Sequence, residues 1–306
     1  MALREISVVR LRQKRFWAWP WELRRNGVLG INARNIGFVS RLNPRCLYPR
    51  VDDKSITKRI CESRGIPVPE TYAIIERFGD IRRFPELIAS RREFVVKPAR
   101  GYGGRGILII AGHTGNEFHP ADGHAISLAE MRYHLSSTLS GLYSLGGRPD
   151  KVIVEQRITM HPIFENLARG GTPDVRIIVH RYIPFIGMLR LPTRESRGRA
   201  NLHQGAVGVG VDMQTGRTTG GVCRDRRVAC HPDTGFPIRG IEIPFWSRIL
   251  AIAANVSRAL ELGYIGVDIV LDATQGPVVL EANARPGLSI QTANGYGLLS
   301  RRRCVA

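Results

Sequence analysis

From residue 51 onward the alternation of apolar and polar positions divides the chain into regular elements. VDDKSITKRICESRG has the spacing of a helix that opens at Asp52 or Asp53 and closes at Gly65. IPVPETYAII and EFVVKPAR predict strands, GYGGRG a loop, and ILII a further short strand. Residues 127–145 predict a helix and KVIVEQRI a strand, followed by an irregular stretch to Pro173. DVRIIVHRYIPFIGMLRLP alternates as a strand pair. In WSRILAIAANVSRALELG, the residues Ile249, Ile252, Ala253, Val256 and Leu260 share one helical face, with Gly263 just past the end. GVDIVL and PVVLEANA then form two strands around DATQG.

This mixture predicts an α/β (α+β) protein, and 306 residues suffice for one large or two ordinary domains. No run approaches the roughly 18 apolar residues of a spanning helix. The opening MALREISVVRLRQKRFWAWPW carries charges among its apolar residues, unlike a signal peptide. The expectation is a cytoplasmic protein. Five scattered cysteines without a CxxC pair point to reduced thiols, and Cys223, Cys230 and His231 lack the second pair that a structural metal site needs.

The formal charge is +19, and residues 1–60 hold 14 Lys/Arg against 4 Asp/Glu. The Trp-rich segment 1–50 (Trp17, Trp19, Trp21) therefore suits an acidic protein or RNA partner, with a solvated surface as the plain alternative. Only five of the 45 cationic residues are lysines: Lys14, Lys54, Lys58, Lys97 and Lys151. A chain that writes arginine elsewhere keeps lysine where a compact ammonium is needed.

FVVKPARGYGGRG contains GxGxxG at Gly101, Gly103 and Gly106, with Gly104 between. A strand follows this loop, whereas a dinucleotide-binding loop opens a helix. Lys97 precedes it, whereas the kinase phosphate lysine follows. The GK[ST] ending of a Walker loop is absent. What remains is a glycine hairpin whose backbone N–H groups approach phosphate oxygens, or an ordinary glycine-rich turn.

In GVDIVLDATQGPVVLEANARPG, a turn centred on Thr274–Gln275 places Asp268 opposite Glu281, Val270 opposite Val279 and Asp272 opposite Pro277, with Asn283 on the face of Glu281. Opposed carboxylates repel, so a divalent cation between them makes sense of the pair. Two carboxylates and an amide oxygen suit Mg²⁺, with Mn²⁺ as an alternative. A solvated carboxylate pair is the bland reading.

With these motifs in view, residues 51–297 resemble the ATP-grasp superfamily, and within it RimK-type α-L-glutamate ligases. Lys54 in DDKSITK, Lys97 with the glycine loop, and the Asp268/Glu281/Asn283 hairpin occur in the family's order, together with PDVRIIV and NLHQGA. The resemblance implies an ATP-grasp fold of two α+β subdomains (51–160 and 161–306) behind the segment 1–50. It implies that Lys54 and Lys97 contact the ATP phosphates, and that Glu155 and the backbone of Gln156 and Ile158 read the adenine edge. Asp268, Glu281 and Asn283 would hold Mg²⁺. Arg176 and Asn201 would lie near the γ-phosphate and acyl phosphate, Arg199 and His203 near the substrates, and Arg285 would stabilise developing charge. Glu165 is a ribose candidate in a stretch too irregular to align, and His113, His119 and His124 are expected in a solvated polar loop.

The implied function is an ATP-dependent carboxylate–amine ligase that joins glutamate, through an acyl phosphate, to an amine or peptide acceptor, with a homo-oligomer as one expected state. Relatives carry a Rossmann-like domain before the first lysine, and the roughly 50 residues here are too few for that unit. A nucleotide-binding RNA- or ribosome-associated module and an ATP-grasp phosphotransferase remain the alternatives.

Overall fold

The computed structural model describes residues 18–302 except 122 and 169, so Trp17, Lys14 and Cys304 lie outside the described residues. The strands form two antiparallel sheets. The first contains β1 (Thr71–Ile75), β2 (Phe94–Pro98), β3 (Leu108–His113), β4 (Glu117–Pro120), β5 (Ile126–Ser127) and β6 (Val152–Glu155), in the order β1-β6-β2-β3-β4-β5. The second contains β7 (Asp174–His180), β8 (Ile183–Leu191), β9 (Val207–Val211), β10 (Thr218–Cys223), β11 (Arg226–Val228), β12 (Tyr264–Asp272) and β13 (Gly276–Asn283), in the order β11-β10-β9-β8-β7-β12-β13.

Each sheet has its own core. Phe84, Phe94, Phe118, Met131 and Leu135 fill the first, where helix Leu128–Leu139 is fixed by a capping box between Ser127 and Glu130. In the second, helix Trp246–Leu260 lays Ile249, Ile252, Val256 and Leu260 against Val175, Ile177, Ile265 and Val267. Each such side chain, when buried, contributes about 1.5–3 kcal/mol. The expected cap at Gly263 is corrected: Glu261, at φ +57°, is the left-handed residue that ends this helix.

The other face of the second sheet is divided. At one end Ile178, Ile186, Met188 and Tyr264 are covered by Leu29, Phe38 and Val39 from the N-terminal segment and by Ile290 and Leu298. Asn43 locks this contact, donating to Tyr264 O (2.7 Å) and Ala284 O (3.0 Å) and accepting from Tyr264 N (3.0 Å). By strand alternation the other end of that face carries Asp174, Arg176, Arg190 and Asp268.

Two sequence expectations are corrected in the sheets. Asp268 does face Glu281, but a bulge follows, so Val270 pairs with Val278 and Asp272 with Gly276. His113 and His119 belong to the paired strands β3 and β4 rather than to a loop. The segment 207–228, which carries no strong alternation, supplies three strands.

Candidate functional site

Helix Lys54–Glu62 begins at Asp53, whose carboxylate accepts from Ser55 N at 3.0 Å. The cap presents Lys54 at the helix mouth, where its Nζ donates to Gly101 O at 2.8 Å. Lys58, one turn on, reaches Glu155 Oε2 at 2.5 Å and Pro69 O at 2.7 Å. Lys97, from the end of β2, pairs with Glu155 Oε1. Burial opposes charge on Glu155, yet Lys97 and Lys58 together hold its carboxyl below the usual range. Lys58 is the residue that sequence reasoning passed over; its scarcity in an arginine-rich chain was the available signal.

The glycine loop is fastened on several sides. Gly103, Gly104 and Gly106 have φ of +63°, +74° and +73°. A Cβ on Gly106 would lie 2.5 Å from the Tyr143 ring. His134 Nε2 donates to Gly106 O at 3.1 Å, and burial lowers the His134 pKa. From the other half of the chain, Gln204 Nε2 donates to Gly103 O at 3.3 Å, and the Arg199 side chain would lie 3.1 Å from a Cβ on Gly104. The loop thus spans the two sheets.

On the second sheet, Arg176 Nε and Nη2 donate to Asp268 Oδ1 and Oδ2 at 2.6 and 2.5 Å. Arg190 makes a second fork to Asp174, at 2.5 and 2.5 Å, and reaches Asp268 Oδ2 at 2.8 Å. Burial works against the Asp268 carboxylate, but the two guanidiniums hold it below its ordinary pKa. Glu281 stands opposite Asp268, and Asn283 follows two residues on. Asn283 Nδ2 is buried without a hydrogen-bond partner among the described residues.

These groups fit a divalent cation. Asp268 Oδ1 accepts one bond and so retains a lone pair, Glu281 adds a second carboxylate, and the Asn283 side-chain oxygen is a third possible oxygen ligand, while its unpartnered Nδ2, a donor, calls for an acceptor such as a phosphate oxygen. Among the described residues no three His, Cys, Asp or Glu cluster for a metal, so a cation here would have two carboxylates and the Asn283 oxygen as its protein ligands.

The remaining candidates are placed less directly. Asn201 Oδ1 caps its own turn by accepting from His203 N at 3.0 Å, and the His203 side chain is exposed. Arg285 stacks on Tyr48, 4.8 Å from the ring centroid. The expectation that the Gln156 backbone reads adenine meets a competing bond, because Gln156 N donates to Glu70 O at 2.8 Å. Glu155 is likewise turned to the lysines, while Ile158 is half-buried beyond the end of β6. Glu165 directly follows the short turn Pro162–Phe164. His231 Nε2 donates to Pro192 O at 2.9 Å and its Nδ1 accepts from Asp233 N at 3.3 Å, so both ring nitrogens are engaged within the fold.

Residues 33–306 match the family described as sugar-transfer associated ATP-grasp. The chain belongs to this family. No curated protein matches the sequence. Among solved structures, this ATP-grasp chain is similar to a D-alanine–D-alanine ligase from Bacillus anthracis at 17% identity and TM-score 0.46, covering 83% of this chain and 62% of that one. D-cycloserine synthetase DcsG gives 17% and 0.47, covering 94% and 80%. The ATP-grasp ligase PsnB, complexed with a minimal precursor, gives 15% and 0.43, covering 85% and 64%. The chain spans about three fifths of the length of the D-alanine–D-alanine ligase. Among the described residues no helix is long and apolar enough to cross a membrane.

Proposed function

We propose that this ATP-grasp chain is an ATP-dependent carboxylate–amine ligase that activates a carboxylic acid as an acyl phosphate and passes the acyl group to an amine. The observation that carries this reading is the glycine loop spanning from the Lys97–Glu155 cluster to Arg199 and Gln204 in the connection between β8 and β9. That arrangement suits a triphosphate held between a lysine cluster and a carboxylate hairpin.

Lys54, Lys97 and the loop N–H groups would neutralise phosphate oxygens, and closing of the glycine loop would shield the reactive intermediate from water. Asp268, Glu281 and Asn283 would hold Mg²⁺, which supplies charge neutralisation on the transferring phosphoryl group. Arg176 and Arg199 would orient the acyl phosphate before amine attack, which gives an amide, ADP and phosphate. No side-chain nucleophile is required. The excess of arginine suits a dicarboxylate donor such as glutamate. The family's description supports including sugar-linked amines among the acceptors.

The test is ADP release from Mg-ATP across amino acids paired with amine, peptide and amino-sugar acceptors, with mass analysis of the products. Carboxylate-dependent ADP with an amide product is expected, and E281Q should abolish it. Near wild-type turnover in E281Q would overturn the metal assignment, and phosphorylation of a substrate without amide formation would overturn the ligase.

A further inference from the structure

Lys58 has no part in the reaction outlined above, yet it is 4% exposed and Lys97 6%. Both ammonium groups converge on one carboxylate, a formal charge of +2 against −1 among buried side chains. The two lysines are held differently. Lys58 Nζ has two acceptors, Glu155 Oε2 at 2.5 Å and Pro69 O at 2.7 Å. For Lys97, Glu155 Oε1 is the only charged partner among the described residues, and its strand leads straight into the glycine loop.

We propose that Lys58 is the standing counter-ion of Glu155, which allows Lys97 to leave that carboxylate for a nucleotide phosphate when ATP binds. The proposal rests on the reading that the glycine loop covers ATP. Removing the only partner of a buried carboxylate costs far more than the pair itself is worth. With Lys58 in place, Lys97 can move without stranding Glu155. Lys54 is no substitute, because its Nζ is engaged on Gly101 O at the loop. Burial lowers the Lys58 pKa and Glu155 raises it again, so the charge of each depends on the other.

The test is calorimetric titration of Mg-ATP into the full chain and its K58M, K58R, E155Q and K58M/E155Q variants, with ADP release measured in parallel. K58M is expected to weaken ATP binding about 100-fold, because a buried pair loses one partner. Turnover at saturating ATP should change far less than KM, the pattern of a binding defect. K58R should stay closer to the wild type. With no carboxylate to strand, K58M/E155Q should bind ATP as tightly as E155Q alone, and this comparison carries the test if K58M does not fold. A double variant much weaker than E155Q would mean that Lys58 touches the nucleotide itself and would overturn the proposal. So would a K58M variant with wild-type affinity. Absence of Mg-ATP binding by the wild-type chain overturns the ligase reading and the exchange together, whereas tight wild-type binding with an unaffected K58M overturns the exchange alone.

Discussion

Arg176 and Asp268 stand directly opposite each other on β7 and β12, joined by two parallel hydrogen bonds of 2.6 and 2.5 Å. A planar fork makes this contact and an ammonium does not. R176K is therefore expected to lower turnover at saturating ATP by at least about tenfold while the protein remains folded. D268N leaves the buried Arg190 and the half-buried Arg176 with one anion fewer, and a loss of about 3–5 kcal/mol is expected in denaturant unfolding. Equal stability of the two variants would contradict this ranking.

Asn283 Nδ2 has no hydrogen-bond partner among the described residues, so the fold gains little from that amide. N283A should leave the melting temperature nearly unchanged. It should raise the Mg²⁺ concentration for half-maximal ADP release by about 10–100-fold, as loss of a metal-site group does. A stability loss without any change in Mg²⁺ dependence would make Asn283 a purely structural residue.

Gly106 combines a φ of +73° with a Cβ position 2.5 Å from the Tyr143 ring. Gly65 has a φ of +65° and open space around that position. Conformational strain alone costs about 1 kcal/mol, which is the loss expected for G65A. G106A adds the clash and should cost clearly more, with impaired ATP binding because the loop must shift. Denaturant midpoints and nucleotide titration of both variants check the order.

Burial lowers the His134 pKa, and its ring places Nε2–H on Gly106 O while Nδ1 accepts from Tyr143 OH at 3.4 Å. Its folded pKa lies below the unfolded value of about 6.5, so the unfolded chain binds the extra proton. The contribution of this residue is fully present above that pH and is lost as pH falls below it. Melting curves between pH 7.5 and 5 should show a decline that H134Q reduces, the amide keeping the bond to Gly106 without titrating. An unchanged slope in H134Q would remove His134 from the account.

Period and spacing determined much of this protein. The periodic apolar positions marked the helix now seen at Trp246–Leu260, and β-branched runs marked β1, β2, β6, β7, β8, β12 and β13. Simple hairpin symmetry put Asp268 opposite Glu281. The same symmetry failed beyond that pair because a bulge adds one residue to β13, and nothing in Val278–Val279–Leu280 signals where an extra residue is accommodated. The glycine-rich strands β9 and β10 were likewise silent, since glycine has no side chain to reveal a buried face.

Only the tertiary structure decided how charges are shared. Lys58, Lys97 and Glu155 come from a helix and two strands far apart in the chain, and no local spacing announces that they meet. The Asp174–Arg190–Asp268–Arg176 ladder crosses three strands in the same way. The docking of the segment before residue 51 is equally a tertiary fact: Leu29, Phe38 and Val39 cover one end of a sheet face whose other end is charged. Sequence fixes which residues are apolar or ionised, while the cost of burying an unpaired charge, paid only on packing, selects their partners.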